Sequence, residues 1–313
     1  MTRGNENRER LLVTGGAGFI GANFVRAALA AGYEVTVLDN FSQGTEAYVE
    51  GLPMRLVRGD ILDRDLVAQE VADHSMVVHL AAQTGVPSSL DDPRRDCEIN
   101  VIGTLNILEA CRVSNGESRR FVFASSNAPL GRQKPPATED KAPLPVSPYG
   151  ASKLAGEAYC LAYQGSWGIE TVALRFGNVY GPFSAHKGSV VAKFIKDLNA
   201  AGRVTIDGSG EQTRDFIYAE DLCDALLLAL KRPASGEIFQ IATGIETSIA
   251  ELARHLSSVA KRDLQVAHAP ARIGDVQRNY SLIAKARQIL GWEPKTSLAE
   301  GLVRTYRWFM ARS

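Results

Sequence analysis

Short apolar runs of strand length alternate with stretches of helical periodicity through the first half of the chain. The runs are rich in Val, Leu and Ile, a composition that is typical of strands buried on both faces of a parallel sheet. The predicted strands are Leu11–Thr14, Glu34–Asp39, Met54–Arg58, Met76–Leu80, Arg120–Ala124 and Ile169–Arg175, and the predicted helices between them are Ile20–Ala31, Glu98–Arg112 and Tyr149–Gln164. Because strand and helix keep alternating, the sequence predicts an α/β protein with a doubly wound parallel sheet.

The pattern changes after residue 175. Glycine-rich loops surround one amphipathic helix at Val190–Ala200, before a helix at Ala219–Leu230 and a strand at Glu237–Ile241 resume the earlier alternation. Helices and loops then follow, closing on the apolar segment Leu302–Met310. We therefore expect two domains, the larger made of residues 1–175 plus 215–245 and the smaller, a discontinuous α+β lobe, made of residues 176–214 plus 246–313.

Charge and composition exclude several classes of protein. The chain has 313 residues with Lys+Arg 35 against Asp+Glu 35, so it lacks the basic excess that nucleic-acid-binding surfaces use to neutralise phosphates. No apolar stretch approaches the roughly 20 residues of a membrane span, and Met1–Arg10 is polar where a signal peptide is apolar. The four cysteines are too scattered for a zinc site. We expect a cytoplasmic protein that binds no nucleic acid, membrane or metal.

A glycine-rich turn follows the first predicted strand and opens the first predicted helix, in the order Thr14-Gly15-Gly16-Ala17-Gly18-Phe19-Ile20-Gly21. Such glycines allow a tight turn and let the backbone approach a pyrophosphate, which then lies at the positive end of the helix dipole. Asp39 ends the second strand 18 residues after Gly21, close to the spacing of an acceptor for adenosine ribose hydroxyls. Its carboxylate would repel a 2′-phosphate, so the sequence predicts a Rossmann-type domain that binds NAD rather than NADP.

Tyr149 and Lys153 stand four residues apart at the start of a predicted helix. Side chains at that spacing lie on one face of the helix, so we expect the Lys153 ammonium near the Tyr149 phenol. A neighbouring positive charge favours the phenolate and would move the pKa of the phenol from its usual value of about 10 toward neutrality. Tyr149 is therefore a candidate general base. Such a pair is also common on solvated helix faces, and it is the glycine turn that favours the catalytic interpretation.

Further motifs, in order along nearly the whole chain, resemble the extended short-chain dehydrogenases/reductases that modify nucleotide sugars. That family includes 4-epimerases, 4,6-dehydratases and uronate decarboxylases. Beside the glycine turn and the Tyr149/Lys153 pair, the matching segments are Asp39-Asn40, Gly59–Ile61, His79–Gln83, Asn100–Thr104, Ala124–Ser126, Leu174–Pro182, Gln212–Tyr218 and Leu290–Pro294. The resemblance implies a homodimer, formed through the helices Glu98–Arg112 and Tyr149–Gln164. The residues that it implies for NAD are Gly15, Gly18, Phe19, Ile20, Gly21, Asp39, Asn40, Asp60, Ile61, Leu80, Ala81, Ala82, Gln83, Asn100, Tyr149 and Lys153.

The resemblance also implies a nucleotide-sugar substrate, UDP-linked as the first choice, in the smaller domain. Ser126 would hydrogen-bond the sugar 4-hydroxyl beside Tyr149, and Lys153 would also hold the nicotinamide ribose. Arg214 and Arg278 would hold the sugar diphosphate, a task for which the guanidinium fork is well suited. The residues implied for the substrate are Ser89, Ser126, Asn127, Asn178, His186, Lys187, Val190, Arg214 and Arg278.

One loop in the smaller domain bears on the identity of the sugar substrate and leaves two interpretations. The run 188–194 is similar to the corresponding segment of UDP-glucuronate decarboxylases, and His186 and Lys187 stand just before it. These two side chains would meet a hexuronate carboxylate, or they form an exposed basic pair.

Departures from the family pattern separate the possible reactions. The 4,6-dehydratases carry an acid and a base directly after the Ser/Thr, where this chain has Asn127 and Ala128, so dehydration is not expected. Uronate decarboxylases usually carry a Glu at the position of Ala128, and Pro129-Leu130 replaces the common Val-Tyr of epimerases. We expect C4 epimerisation of a UDP-hexose or UDP-hexuronate, with decarboxylation of UDP-glucuronate to UDP-xylose or UDP-4-keto-xylose as the close alternative. A 4-ketoreductase or a non-catalytic NAD-binding protein comes after these.

Overall fold

The computed structural model describes residues 9–113, 119–271 and 276–312, so most of the polar segment Met1–Arg10 lies outside the described residues. The strands are β1 (Arg10–Thr14), β2 (Glu34–Asp39), β3 (Arg55–Arg58), β4 (Met76–His79), β5 (Arg120–Ser126), β6 (Glu170–Phe176), β7 (Asn178–Tyr180), β8 (Arg203–Asp207), β9 (Thr213–Arg214), β10 (Phe216–Tyr218), β11 (Glu237–Ile241), β12 (Thr247–Ser248) and β13 (Gln265–Ala269). The helices are α1 (Phe19–Ala30), α2 (Arg64–Ala72), α3 (Val86–Asp91), α4 (Pro93–Cys97), α5 (Gly103–Val113), α6 (Pro148–Trp167), α7 (Val190–Ala201), α8 (Ala219–Lys231), α9 (Ile249–Ala260) and α10 (Leu298–Met310).

Seven parallel strands form the central sheet in the order β11-β6-β5-β4-β1-β2-β3. Apolar side chains of α1 and α8 pack on one face of the sheet, and those of α2, α5 and α6 pack on the other. The predicted doubly wound parallel sheet is therefore confirmed. The strand order reverses between β1 and β4, and a crevice opens beyond the carboxyl ends of the strands at such a point.

The strands predicted in the first half of the chain are present within two residues of their predicted ends, but the helices α2, α3 and α4 were not predicted. Helix α2 buries only Val67, Glu70 and Val71 and so has a narrow apolar face, and α3 and α4 have only 6 and 5 residues. The single helix predicted at Glu98–Arg112 is divided into a π-helical turn, Glu98–Ile102, and α5. Turns of this kind occur often at functional sites.

A second apolar core lies away from the central sheet. It is built from α7, α9 and α10 with the short strands β7, β8 and β10, and Phe194, Leu252 and Leu302 are among its buried side chains. The pairings of β7 with β10 and of β8 with β13 join segments that are far apart in the sequence, so local periodicity did not predict them. The division into two domains stays a prediction; β10, which contributes to this core, lies in residues 215–245, which the prediction assigns to the larger domain. Among the described residues, no helix is long and apolar enough to cross a membrane.

Helix α6 directs a stripe of polar side chains at the carboxyl ends of β5 and β6. Its residues Tyr149, Lys153 and Glu157 follow one another at four-residue spacing and so share one face of the helix. Glu157 forms a bidentate ion pair with Arg175 of β6, with N–O distances of 2.8 and 2.7 Å, and the two side chains are only 1% and 2% exposed. Ser125 of β5 donates to the same carboxylate at 2.5 Å. This buried pair fixes α6 against the two strands.

Arg175→Met is expected to destabilise the protein by about 3–5 kcal/mol, because it leaves the Glu157 carboxylate buried without its partner. Urea unfolding followed by circular dichroism measures the difference. The matched control is Arg254→Met, which removes an arginine that is 76% exposed and 3.9 Å from Glu251, and should change stability by less than about 0.5 kcal/mol. Equal effects of the two substitutions would contradict the structural role of the buried pair.

Candidate active site

A long cavity lies at the carboxyl edge of the sheet, where the strand order reverses between β1 and β4. Its walls contain these residues predicted from the sequence: Gly15, Gly18, Phe19, Ile20, Gly21, Asp39, Asn40, Asp60, Ile61, Leu80, Ala81, Ala82, Gln83, Tyr149, Lys153, His186 and Lys187. Residues not predicted also line it, among them Ser42, Gln43, Gly44, Thr84 and Phe176. Segments from the whole length of the sheet thus meet around one space.

The glycine turn lets the backbone of β1, β4 and α1 come together at the middle of this cavity. Gly15 has φ +70, and a Cβ there would lie 2.6 Å from the backbone nitrogen of Ala81. A Cβ on Gly21 would lie 2.2 Å from the carbonyl oxygen of Gly15. Helix α1 has no side-chain cap and no acidic residue in its first turn, so its first N–H groups are open to an anion. The arrangement fits a pyrophosphate.

Two carboxylates lie at one end of the cavity. Asp39 accepts hydrogen bonds from the backbone N–H groups of Ala17 and Phe41, at 2.9 and 2.8 Å, and burial raises its pKa. Asp60 accepts from the Asn40 amide at 2.8 Å. These groups stand where the adenosine end of a dinucleotide is expected, since the glycine turn separates them from Tyr149 and Lys153.

A neutral histidine supports the cavity floor between β1 and β4. His79 is hydrogen-bonded through Nδ1 to Thr14 at 2.6 Å and through Nε2 to Thr104 at 3.0 Å. Burial lowers its pKa to about 3, so the ring is uncharged at neutral pH. The Thr14 hydroxyl also accepts from the backbone N–H of Ala81 at 3.3 Å, which ties the ends of the two strands together.

Tyr149 and Lys153 line the other end of the cavity, and Ser126 lies beside the Tyr149 phenol. The Ser126 hydroxyl accepts from the backbone N–H of Ala128 at 3.2 Å. The Lys153 ammonium is 3% exposed and donates to the carbonyl oxygen of Ala124 at 3.0 Å. The structure therefore places Ser126 beside Tyr149 and Lys153 one helical turn further along α6, and the catalytic role of the three stays a prediction.

The predicted lowering of the Tyr149 pKa is wrong for this arrangement. Burial raises the pKa of Tyr149 to about 12; the hydrogen bond from Ser126 opposes that rise and the negative charge of Asp96 adds to it. Burial lowers the pKa of Lys153 to about 8, while Asp96 opposes the change. Spacing along a helix predicted which side chains are neighbours, but the pKa of each depends on how deeply the packed protein buries it.

Asp96 of α4 is a functional candidate that the sequence reasoning missed. It is 1% exposed, and its Oδ2 accepts from the Asn100 amide at 3.0 Å. Asn100, in the π-helical turn, also donates to Ser152 at 3.1 Å and exchanges two hydrogen bonds with the backbone of Gln83. Asn100, predicted to bind NAD, does not line the cavity; it holds Gln83, which does. Asp96 could have been found only as an acid four residues before Asn100, a weak signal.

The residues predicted for the substrate do not form one cluster. Arg278 and Asn127 line a second, smaller cavity beside the residue 130–137 loop. Arg278 forms a bidentate ion pair with Glu246, both distances being 2.7 Å, and its side chain is 58% exposed. Arg214 donates to the carbonyl oxygens of Thr213 and Val276 at 2.7 Å.

Three further substrate predictions find little support in the side-chain geometry. Ser89 is fully buried, and its hydroxyl donates to the carbonyl oxygen of Val86 within α3. Asn178 begins β7 and Val190 begins α7, and both lie outside the two cavities described here. A family resemblance implies which positions serve a substrate, but it does not report the direction of a side chain.

The fold and the cavity together define a dinucleotide-dependent enzyme of the Rossmann class. The family model described as the NAD dependent epimerase/dehydratase family matches residues 11–242. The chain belongs to this family, and its cofactor is NAD.

Named relatives agree with this assignment over the whole chain. A UDP-glucose 4-epimerase of Mycolicibacterium smegmatis is 36% identical over 97% of this chain and 99% of its own length. The crystal structure of a UDP-glucose 4-epimerase of Thermotoga maritima with UDP-glucose has a TM-score of 0.92 at 35% identity, covering 97% of this chain and 99% of that one. A UDP-glucuronic acid 4-epimerase of Bacillus cereus, solved with UDP-glucuronic acid and NAD, has a TM-score of 0.90 at 30% identity and covers 97% of this chain and 100% of that one. Relatives named as a dehydratase and as decarboxylases match as well.

Tyr149→Phe is expected to abolish turnover while NAD stays bound, because the change removes only the phenolic oxygen and leaves the cavity walls in place. Turnover is measured on the substrates considered below, and the NAD content of the purified protein is measured after denaturation. Turnover that survives the substitution would show that the base has been assigned wrongly.

Asp96→Asn is expected to shift both limbs of the pH profile of kcat/KM to lower pH. The carboxylate raises the pKa of Tyr149 and of Lys153, so its removal lets the phenol ionise, and the ammonium lose its proton, at lower pH. The matched control is Glu98→Gln, which removes a carboxylate that is 47% exposed and pairs with Arg95 on the surface. A profile of unchanged position with a lower maximum would mean that Asp96 only supports the structure.

Proposed function

We propose that the protein interconverts the C4 epimers of a UDP-hexose or UDP-hexuronate through a 4-keto intermediate. The observation that carries the proposal is the presence of Tyr149 and Lys153 together in the wall of the NAD cavity, with Ser126 beside the Tyr149 phenol. Relatives named as UDP-glucose 4-epimerases support it over nearly the whole chain.

Tyr149, Ser126 and Lys153 have different roles in the oxidation at C4. NAD, when bound, supplies an acceptor and then a donor of hydride for that carbon. Tyr149 takes the proton of the 4-hydroxyl and returns it after the keto sugar has turned its other face, while Ser126 hydrogen-bonds the same oxygen. Lys153, one helical turn from Tyr149, carries the positive charge that would offset negative charge on the phenol oxygen once a bound substrate engages it. Epimerisation requires no further acid or base.

The residues that follow Ser126 do not provide the acid and base that elimination of water requires. The amide of Asn127 donates to Ser281 at 2.9 Å and belongs to the smaller cavity, and Ala128 has no group that transfers a proton. Elimination across C5 and C6 needs both an acid and a base. This favours epimerisation over 4,6-dehydration.

UDP-glucuronate decarboxylation is the second candidate, because relatives named as decarboxylases match 96% and 97% of this chain. In a 4-keto-glucuronate the carboxylate is β to the ketone, so carbon dioxide leaves and the electron pair passes to the ketone oxygen. Tyr149 and Ser126 would hold that enolate oxygen. Decarboxylation thus requires the same side chains as epimerisation.

Homodimerisation through α5 and α6 stays a prediction. Exposed apolar side chains on the two helices support it: Val113 is 58% exposed, Leu161 42% and Trp167 53%. Exposed apolar surface of this kind is typical of a face that packs against another chain.

Separate incubations with UDP-glucose, UDP-N-acetylglucosamine and UDP-glucuronate test the reaction. We expect a product of unchanged mass with inverted configuration at C4, read by mass spectrometry and proton NMR, and no net consumption of NADH. Loss of carbon dioxide from UDP-glucuronate would replace the proposal by decarboxylation, and stoichiometric use of NADH would replace it by a 4-ketoreductase. The Tyr149→Phe variant is the matched control for each substrate.

A further inference from the structure

A lysine from the segment predicted to bind sugar reaches into the wall of the NAD cavity. Lys187 lies on the loop between β7 and α7, and it lines the same cavity as Gly18 and Gln83. Its ammonium donates a hydrogen bond of 2.8 Å to the hydroxyl of Thr84, which follows β4. The loop therefore crosses from one core of the protein to the other at the cavity.

Several contacts hold this loop in place. The Lys196 ammonium donates to the carbonyl oxygens of Ala185 and Lys187, at 3.0 and 2.9 Å. Ser184 donates to the carbonyl oxygen of Gly181 at 2.6 Å. The His186 ring lies 5.7 Å from the ring of Tyr48, between centres, and Tyr48 follows the cavity-lining segment 42–44. The direction of the Lys187 side chain is thus set by the fold of the loop and by the hydrogen bond to Thr84.

The Lys187 ammonium has no counter-charge of its own. Within residues 9–113, 119–271 and 276–312, no carboxylate lies within ion-pair distance of it, although many other cations of the protein are paired. Burial, with no carboxylate to oppose it, lowers the pKa of Lys187. A half-buried ammonium beside a cavity is stabilised by an anion in that cavity.

The position of this ammonium selects among the possible anions. The open first turn of α1 faces the cavity that Lys187 lines, and that turn is the site for the pyrophosphate of a dinucleotide. The arginines expected to meet the sugar diphosphate, Arg214 and Arg278, lie elsewhere, Arg278 in the smaller cavity.

We propose that Lys187 binds the pyrophosphate of NAD from the side opposite helix α1, so that the loop carrying it closes over the cofactor. This replaces the hexuronate carboxylate as its expected ligand. The inference concerns the cofactor and holds whichever sugar is the substrate. An enzyme that regenerates its cofactor in each turnover has no need to release it. A loop that binds the pyrophosphate through Lys187 would slow the release of NAD.

The test compares Lys187→Met with Lys187→Arg and with the control Lys193→Met in the purified holoenzyme. Lys193 is a cation on α7 that pairs with Asp197 at 2.5 Å and does not line the NAD cavity. The readouts are the rate at which bound NAD exchanges against isotopically labelled NAD, at two salt concentrations, and the Kd for UDP. Neither readout depends on turnover, so a result that contradicts the role of Lys187 can be distinguished from one that contradicts the proposed reaction.

We expect NAD to dissociate about 10- to 100-fold faster from Lys187→Met, the size of one lost charge-assisted hydrogen bond. The NAD dissociation rate should increase less in Lys187→Arg than in Lys187→Met, and in Lys193→Met it should equal that of the wild type. The Kd for UDP should not change in any variant. The wild-type rate should also rise more steeply with salt than that of Lys187→Met. An unchanged NAD dissociation rate in Lys187→Met overturns the proposal, and so does a loss of UDP affinity as large as the effect on NAD.

Discussion

The Lys153 ammonium lies almost wholly inside the protein, 3.0 Å from the carbonyl oxygen of Ala124 and 4.9 Å from the centre of the Phe123 ring. A buried charge is costly unless its surroundings compensate it, so much of the site follows from this one side chain. The end of β5 supplies the carbonyl and the ring, and Asp96 supplies the opposite charge. Residues that place this ammonium are therefore as necessary to the chemistry as those that touch a substrate.

Helix α6 positions the Lys153 ammonium and the other polar side chains of the site. Tyr149, Lys153 and Glu157 share one face of the helix, and each meets the end of the sheet at a different point: Ser126, Ala124, and Ser125 with Arg175. The Glu157–Arg175 pair fixes the helix, and the network of Asp96, Asn100 and Ser152 braces its first turn. Any displacement of α6 would move the base, the ammonium and the buried ion pair together.

The NAD cavity is shared between the two apolar cores of the protein. Most of its wall comes from the carboxyl ends of β1, β2 and β4 and from the first turn of α1, as a reversal of strand order dictates. The loop before α7 adds His186 and Lys187 from the other side. The cavity wall thus contains residues from the central sheet and from the loop before α7, which is part of the segment expected to bind the sugar.

The sequence by itself determined the parallel sheet, the glycine turn at Gly15–Gly21 and the pairing of Tyr149 with Lys153. These features are local, because strand length, backbone freedom and helical spacing are all set by residues close together in the chain. Only the tertiary structure decided the pKa of Tyr149, the place of Asp96 beside Asn100, the burial of Ser89 and the place of Lys187 beside Thr84. Each of these depends on burial or on contact between distant segments, and the order of residues along the chain does not express either one.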